Sequence, residues 1–506
     1  MAKRGSDHLR SLQDGRSIFI DAERVADVTT HGAFQQSARS IGALYDYQAD
    51  AANIDWMTFT SPTSRGQVNR LWQLPRSHRE LVERRRALEA WAELSCGMLG
   101  RSPDHVGSSL GGMMMGRAVF ERDDPKRAKA LADYFQYARD NDLFLSYVII
   151  NPQADRSKAT SAQPGDDLVA RIVDEDVQGI TVRGAKMLGT SAVFANELMI
   201  SGFFGLQAGE EKFAFTAMIP MNARGLKAFS RKSYEAAASS TFDNPLSSRF
   251  DENDAIIYFE DVKIPWERVV VCRSLKMAQA QWHETRAHVF QNYQCQIRLM
   301  VKLRFLVGIA RKIAEINGII NYPQVRDTLG LLAAKATGVE GMVVAMEAAG
   351  EQYGEFYVPD RAMLAASQVL SQELYPEVVE TIRTLAGGGL IMLPSSARDF
   401  SNPESARVID KTQRSSIASP KERVKLFKLA WDAIGSEFGS RHLQYEMFYS
   451  GPPFVTRGHA YRFFDWLRSE RLIDGFMATY DLPDGSLPVE RSPRASKRHR
   501  SERLPQ

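Results

Sequence analysis

The spacing of apolar residues changes twice along the chain. From Ser77 to about Asn141, apolar residues recur at helical spacing within runs of strong helix formers, such as RELVERRRALEAWAELSCGML. From about residue 146 to 275, short β-type runs follow one another, as in DAIIYFEDVKIPWERVVV. Beyond Met277, long helical patterns return with few helix breakers. The chain is therefore predicted to be helical, then β, then helical.

This order predicts an α+β fold, because most mixed folds alternate strand and helix instead. We expect an N-terminal helical domain (1–145), a middle antiparallel β domain (146–275) and a C-terminal helical bundle (276–483). The polar, Pro- and Arg-rich residues 484–506 are expected to form a disordered basic tail. By analogy, the order resembles the acyl-CoA dehydrogenase architecture, which holds a flavin between the β domain and the bundle.

Composition narrows the class of protein. A chain of 506 residues with 44% hydrophobic content is long enough for a multidomain enzyme. Its 64 Lys+Arg residues nearly balance 61 Asp+Glu residues, so no field favours nucleic acid. The three scattered cysteines form no disulfide framework. No apolar run approaches the roughly 20 residues of a membrane span, and residues 1–17 lack the apolar stretch of a signal peptide. We expect a cytoplasmic protein without nucleic-acid or membrane partners.

Several common catalytic motifs are absent. The only glycine cluster, 387–389, follows a predicted helix, whereas a dinucleotide fold needs GxGxxG between a strand and a helix. His283 and His288 resemble a zinc-protease motif, but they are five positions apart, about 500° of helical rotation, and leave one helix face. Neither GxSxG nor the P-loop motif occurs. We therefore expect no metal site and no enzyme of these classes.

The segment 100–105 (GRSPDH) is a first candidate for chemistry. Pro103 disfavours helical geometry at Ser102, so the chain should turn here and present Arg101 and His105 near a helix terminus. The alternative is a plain surface turn in which Arg101 caps carbonyl groups and His105 is solvated.

Two further segments could contact a flavin. In SYVIINPQADRS (146–157), a strand ends in a polar turn whose Gln153 and Arg156 could bond an isoalloxazine edge and a pyrophosphate. In KMLGTSA, a flat ring could approach Thr190 and Ser191 closely beside a glycine. Ordinary turns explain both segments equally well.

The acidic loop 242–255 precedes the strand AIIYFEDVKIPWERV. Its many polar groups suggest a tightly bonded loop at a domain junction. We interpret this loop as structural scaffolding.

A polar stripe follows the helix that opens the C-terminal bundle. His288, Asn292 and Cys295 recur at helical spacing, with Gln291 and Gln294 nearby, where an amphipathic helix would otherwise be apolar. Buried polar groups need partners, and a ligand is one way to supply them. The alternative for His288 is a hydrogen-bonded core histidine.

Taken jointly, these segments resemble the 4-hydroxyphenylacetate 3-monooxygenase and chlorophenol monooxygenase family from about Asp21 to Pro453. GRSPDH, INPQADRS, MLGTSA, NPLSSRFDENDAI, FEDVKIPWERV, KLRFLVGIA and IGSEFGSRHLQYEMFYSG fall in the family's order. The resemblance implies the oxygenase component of a two-component flavoprotein monooxygenase of aromatic hydrocarbon catabolism. A separate flavin reductase would supply reduced FAD (FADH2) by diffusion, and a C4a-hydroperoxyflavin formed with O2 would hydroxylate a phenol. A homotetramer is implied as well.

The resemblance also implies site residues. The flavin contacts would be Gln153, Ala154, Asp155, Arg156, Ala159, Thr160, Thr190, Phe448, Tyr449, Ser450 and Gly451. The substrate contacts would be Arg101, Ser102, His105, Tyr147, Gly202 and Phe203.

The catalytic residues would be Arg101, His288 and His105. A phenol is a good nucleophile only while its proton is leaving, so a base with a near-neutral pKa is needed, and His288 is the candidate. Arg101 would hold the phenolate oxygen. The pocket should exclude water, with Met113–Met115 and Phe203 or Phe204 as candidate walls.

Two positions depart from the family pattern. His105 stands where the hydroxyphenylacetate enzymes usually have tyrosine, and Tyr147 stands where they usually have histidine. This exchange leaves the substrate open between 4-hydroxyphenylacetate, halogenated or nitrated phenols and another small hydroxyaromatic compound.

Two other functions compete. In a 4-hydroxybutyryl-CoA dehydratase-like enzyme, three cysteines and a histidine hold an iron–sulfur cluster; His288, Cys295 and Cys96 match that pattern, but Gly100 stands where the remaining cysteine is needed. A non-enzymatic helical scaffold with a basic tail would explain the tail but not the polar stripe.

Overall fold

The computed structural model describes residues 2–152, 154–165, 167–202 and 205–482. Two predicted site residues, Gln153 and Phe203, lie outside the described residues, as do Phe204 and the predicted tail 484–506.

Helices occupy both ends of the described chain, as predicted. In the N-terminal part they are α1 (Gly5–Ser11), α2 (Gln35–Ala49), α3 (Ile54–Met57), α4 (His78–Leu94), α5 (Pro103–Met115), α6 (Arg117–Asp123) and α7 (Pro125–Asp140). A short helix, α8 (Ser247–Phe250), lies in the middle part. The later helices are α9 (Leu275–His283), α10 (Ala287–Ile316), α11 (Pro323–Ala348), α12 (Arg361–Ala386), α13 (Pro403–Thr412), α14 (Pro420–Ile434), α15 (Glu437–Phe448), α16 (Pro453–Phe463) and α17 (Trp466–Met477).

The strands concentrate in the middle part. They are β1 (Ser17–Ile20), β2 (Glu23–Val25), β3 (Thr58–Thr60), β4 (Gln67–Asn69), β5 (Leu145–Val148), β6 (Arg171–Glu175), β7 (Gly179–Lys186), β8 (Glu197–Ile200), β9 (Phe215–Pro220), β10 (Leu226–Ser230), β11 (Ala255–Pro265), β12 (Val269–Cys272), β13 (Glu351–Tyr353) and β14 (Phe356–Val358). The predicted order of helical, β and helical segments is confirmed.

The strands form two larger sheets in the described chain, with orders β2-β1-β10-β11-β7-β6 and β12-β9-β8-β5. Most pairs are antiparallel, as predicted, but β1 pairs parallel with β10 and β5 pairs parallel with β8. β1 and β2 come from the segment predicted to be helical. Ile18 and Ile20 alternate with more exposed residues and are buried, which is the period-2 pattern of a strand.

The chain divides into two compact units, residues 1–460 and residues 461–506. The described residues of the second unit contain α17, whose apolar residues Leu472 and Phe476 are largely exposed.

Helix α10 is the central helix of the first unit. It packs against α4, α5, α11, α12 and α14. Gly112 of α5 permits one close approach, because a Cβ there would lie 2.3 Å from the carbonyl oxygen of Arg286. Buried on several sides, α10 nevertheless carries the predicted polar stripe and also Arg298 and Lys302. These buried polar groups require partners from the surrounding elements.

Helix α11 is apolar and poorly covered. An 18-residue window in it has a mean hydropathy of 1.4, enough by length and composition to cross a membrane, and 22% of that window is buried. One such helix is weak evidence for a membrane span, because helices of soluble proteins pass the same test and the charged residues Lys335 and Glu340 interrupt the apolar run. Exposed apolar faces of this size also mark surfaces that pack against other protein.

Candidate active site

Arg101 lies directly before α5, where Pro103 occupies the first helical turn and Ser102 is the N-cap, as the sequence predicts. Its guanidinium group is buried. Nη1 contacts both ring nitrogens of His105, at 3.1 Å for Nδ1, and Nη2 donates to the carbonyl oxygen of Tyr449 at 3.4 Å. The turn thus points Arg101 into the protein, and the surface-turn alternative is wrong.

His105 and Tyr147 form the next layer of this cluster. Their rings stack with centroids 5.5 Å apart, and Gln291 donates to Tyr147 Oη at 3.1 Å and to His105 Nε2 at 3.0 Å. His105 Nδ1 lies 3.0 Å from Gln294 Oε1, which requires a proton on Nδ1. Burial and the neighbouring Arg101 hold the pKa of His105 well below its usual value. His105 is therefore a neutral imidazole.

Three arginines surround the ring of Tyr445, and they differ in their counter-ions. Arg298 is paired with Glu446 at 2.6 Å, and Arg441 is paired with Glu252 at 2.7 Å. The guanidinium group of Arg101 has no carboxylate within 4.0 Å among the described residues. A buried guanidinium without an anion is an electrostatic binding site for one.

The acidic loop 242–255 is tightly bonded, as predicted for a scaffolding loop, and it supports residues of the candidate site. Glu252 accepts a hydrogen bond from the backbone N–H of Arg101 through Oε1 and binds Arg441 through Oε2. Asp254 binds Arg441 at 2.7 Å and accepts from Thr190 Oγ1 at 2.5 Å. Burial alone would raise the pKa of Asp254, but Arg441 and other cations beside it hold the pKa well below its usual range. The loop thus holds both Arg101, a predicted substrate contact, and Thr190, a predicted flavin contact.

The predicted flavin residues are not all brought together. Tyr449, after α15, reaches the cluster through its carbonyl oxygen, and its hydroxyl accepts from Gln296 at 2.5 Å. Thr190 is reached through Asp254. The predicted flavin residues after β5 that the structure describes are half-buried or exposed, and no hydrogen bond links them to the cluster. They are Ala154, Asp155, Arg156, Ala159 and Thr160. Phe448, which ends α15, is 44% exposed.

Gly202, a predicted substrate contact, lies two residues after the end of β8. Its carbonyl oxygen accepts from the indole N–H of Trp282 in α9 at 3.2 Å. The preceding residue, Ser201, accepts from the buried Lys186 at 2.8 Å through its carbonyl oxygen. These bonds hold the backbone at Ser201 and Gly202 against α9 and β7.

His288 lies in a different cluster from Arg101. Its ring centroid is 5.7 Å from that of His283 and 4.8 Å from that of His459. Gln291, one helical turn further along α10, is the residue that contacts His105 and Tyr147. Gln291 thus lies beside the His105 and Tyr147 rings, and His288 lies about one helical turn earlier on α10. Within the described residues, no group of His, Cys, Asp and Glu side chains is arranged to hold a metal ion.

Two buried hydroxyl groups test whether a flavin fits. Ser191 Oγ and Ser450 Oγ are buried and have no hydrogen-bond partner among the described residues. Ser450 is itself a predicted flavin contact, and Ser191 adjoins the predicted flavin contact Thr190. Leaving a buried polar group unpaired costs about 1–3 kcal/mol, so a polar ligand that reached either hydroxyl group would remove that cost. The residues present fit a flavin.

Gly100 excludes the iron–sulfur alternative. A Cβ at this position would lie 2.7 Å from the Cζ and hydroxyl oxygen of Tyr445. A cysteine at position 100 would therefore displace that ring. The tyrosine occupies the space that the missing thiolate would need.

Comparisons with known proteins point to one family. The family models described as 4-hydroxyphenylacetate 3-hydroxylase N terminal and C terminal match residues 4–271 and 278–478. The 4-hydroxyphenylacetate 3-monooxygenase oxygenase component of Geobacillus sp. (strain PA-9) is 34% identical, over 91% of this chain and 93% of its own. The 4-nitrophenol 2-monooxygenase, oxygenase component, of Rhodococcus sp is 34% identical, over 96% of this chain and 93% of its own.

A solved structure is similar over nearly the whole chain. The oxygenase component of 4-hydroxyphenylacetate 3-monooxygenase, complexed with FAD and 4-hydroxyphenylacetate, superposes with a TM-score of 0.89 at 29% identity. The match covers 94% of this chain and 99% of that one. The predicted fold class is confirmed.

The buried pair of Arg298 and Glu446 predicts a pH-dependent stability. Burial alone would raise the pKa of Glu446, but Arg298 and Lys302 lower it from 4.5 to about 2. The stability from this ionised carboxylate is present above pH 4.5 and is lost as the pH falls towards about 2. Glu446→Gln should lower the free energy of unfolding by about 3–5 kcal/mol at neutral pH, and the difference from wild type should shrink in acid.

Thermal unfolding at pH 7 and in the acid range measures this difference. Glu373→Gln is the matched control, because Glu373 pairs with Arg457 at 2.9 Å on the exposed surface and such pairs contribute little. An equal difference between wild type and Glu446→Gln at both pH values would contradict the assigned ion pair.

Proposed function

Because the chain belongs to the 4-hydroxyphenylacetate 3-hydroxylase family, we propose that it is the oxygenase component of a two-component, FADH2-dependent aromatic monooxygenase. It takes reduced FAD from a separate flavin reductase, uses O2 as co-substrate and hydroxylates a small phenol. The observation that carries the proposal is the buried Arg101 guanidinium, which has no carboxylate within 4.0 Å among the described residues while Arg298 and Arg441 beside it do. The helical-scaffold alternative gives no reason for such a site.

Arg101 is the proposed anchor of the phenolate oxygen. A guanidinium group stays charged at all working pH values, and in a site shielded from water its attraction for an oxyanion is strong. Tyr147 and His105 border the same space, and Gln291 connects them. The phenol oxygen is thereby placed among one cation and several hydrogen-bonding groups.

The proposed base is His288. His105 contacts Arg101, and its lowered pKa makes it a hydrogen-bond acceptor with little basicity. His288 lies one turn from Gln291 on α10, in a ring cluster with His283 and His459. If His288 accepts the proton, the positive charge of Arg101 remains available to stabilise the phenolate. Reduced flavin supplies the electrons that activate O2 when it is bound.

The exchange of histidine and tyrosine has a structural basis. His105 and Tyr147 stack on each other, so the pocket keeps one imidazole and one phenol with their places reversed. The pocket therefore offers the same two kinds of hydrogen-bonding group as the family pattern, an imidazole and a phenol. A phenol hydroxylated by the relatives, 4-hydroxyphenylacetate or 4-nitrophenol, is the proposed substrate class.

We propose a homotetramer in the cytoplasm, with transient transfer of FADH2 by diffusion. Leu331 and Val344 on α11 and Leu370 on α12 are 58%, 51% and 44% exposed. Packing of these helices between subunits would bury this apolar surface.

A single-turnover assay tests the catalytic roles. The protein is mixed with reduced FAD and a panel of phenols without oxygen, and O2 is then added. Arg101→Ala and His288→Ala should each lower the yield of hydroxylated product at least about 100-fold, with the oxygen recovered as H2O2. His283→Ala, a neighbour in the same ring cluster, is the control and should keep the yield. Wild-type yields from both variants would overturn the assigned roles.

A residue swap tests the reversed pair. His105→Tyr and Tyr147→His should each lower kcat/KM more than about 10-fold, because each leaves two like groups in contact. The double variant restores one imidazole and one phenol and should recover most of the loss. A double variant that shows the simple product of the two single losses would contradict the proposed exchange.

A further inference from the structure

Tyr445 lies at the centre of the site, although neither the family resemblance nor the sequence patterns single it out. Its ring, on α15, is 5.2 Å from the guanidinium carbon of Arg101, 5.3 Å from that of Arg298 and 5.0 Å from that of Arg441. It also stacks on Tyr449 with centroids 5.7 Å apart. These contacts explain an aromatic ring at this position, but a phenylalanine ring would serve them as well.

The hydroxyl group of Tyr445 needs a different explanation. Its oxygen is buried and has no hydrogen-bond partner among the described residues. Gly100 keeps the space beside it open, since a Cβ there would lie 2.7 Å from that oxygen. Burial raises the pKa of Tyr445 far above its usual value, so the group is a donor. An unpaired buried donor is costly and is expected to meet an acceptor in the functional state.

The protein groups nearby are already engaged. Arg298 and Arg441 have carboxylate partners, and Glu252 binds both Arg441 and the backbone N–H of Arg101. Among the described residues, the guanidinium group of Arg101 is the one beside Tyr445 that has no carboxylate within 4.0 Å. The unpaired donor and the unmatched cation therefore adjoin the same space, next to the turn that begins at Tyr449.

We propose that the hydroxyl group of Tyr445 donates a hydrogen bond to an acceptor oxygen of the ligand that binds beside Arg101. The acceptor is a ring carbonyl of the flavin or the phenolate oxygen of the substrate, which share this chemistry. The inference rests on the proposed function, because both ligands come from it. It adds a ligand-binding residue to those that the family resemblance implies.

Tyr445→Phe and Tyr375→Phe form a matched pair of variants. Tyr375 in α12 also has a buried hydroxyl group without a partner among the described residues, and its ring lies against Lys302 at 5.2 Å. Each substitution removes one unpaired buried hydroxyl, so the thermal stability of the ligand-free protein should stay equal or rise in both. Only Tyr445→Phe should weaken ligand binding, by about 5- to 20-fold, as loss of one hydrogen bond predicts.

Two anaerobic titrations distinguish the ligands. The first measures the Kd of reduced FAD, and the second measures the Kd of 4-nitrophenol with the protein saturated in reduced FAD. A loss confined to the first assigns the hydroxyl to the flavin, and a loss confined to the second assigns it to the phenol. Unchanged affinity of Tyr445→Phe for both ligands, or an equal loss in Tyr375→Phe, overturns the inference. Failure of the wild-type protein to bind reduced FAD would instead overturn the proposed function.

Discussion

Arg441 donates to Glu252 and to Asp254 where helix α15 meets the acidic loop that precedes β11. Removing one member of such a group would leave a charge without a partner in a place with little water, so the three residues hold one another in place. Glu252 then fixes the backbone of Arg101, and Asp254 fixes the hydroxyl group of Thr190. One guanidinium group thus sets the distance between the part of the site that would hold the phenol and the part that would hold the flavin. The positions of Arg101 and Thr190 in the candidate site therefore depend on this link between the β domain and the bundle.

A second group of buried ion pairs connects helix α15 to the central helix α10. Arg298 and Lys302 of α10 bind Glu446, so the central helix and α15 are held in register by buried charges. Arg101 differs from these cations because no carboxylate of the described chain lies within 4.0 Å of its guanidinium group. The matched cations stabilise the fold, and the unmatched one is available to a ligand. This division explains how a site rich in positive charge can be stable without a substrate.

Local sequence patterns predicted the features that depend on residues close together in the chain, namely the long helices and the turn before α5. Apolar periodicity gave the long helices, and Pro103 gave the turn that presents Arg101 and His105. Periodicity missed β1 and β2, because such short strands are stabilised mainly by pairing with a distant strand, β10. The polar composition of the acidic loop did predict a tightly bonded scaffold, but not which residues it supports. The importance of Glu252 and Asp254 depends on Arg441, nearly 190 residues away, and no local pattern shows that contact.

Transfer of an oxygen atom from O2 to a phenol is the central claim, and isotope labelling measures it directly. The protein is loaded anaerobically with reduced FAD and 4-hydroxyphenylacetate or 4-nitrophenol and then mixed with 18O2. The account predicts a hydroxylated product that carries one 18O atom per FADH2 oxidised, with little H2O2. Unlabelled substrate recovered with all of the 18O in H2O2, for every phenol tried, would contradict it.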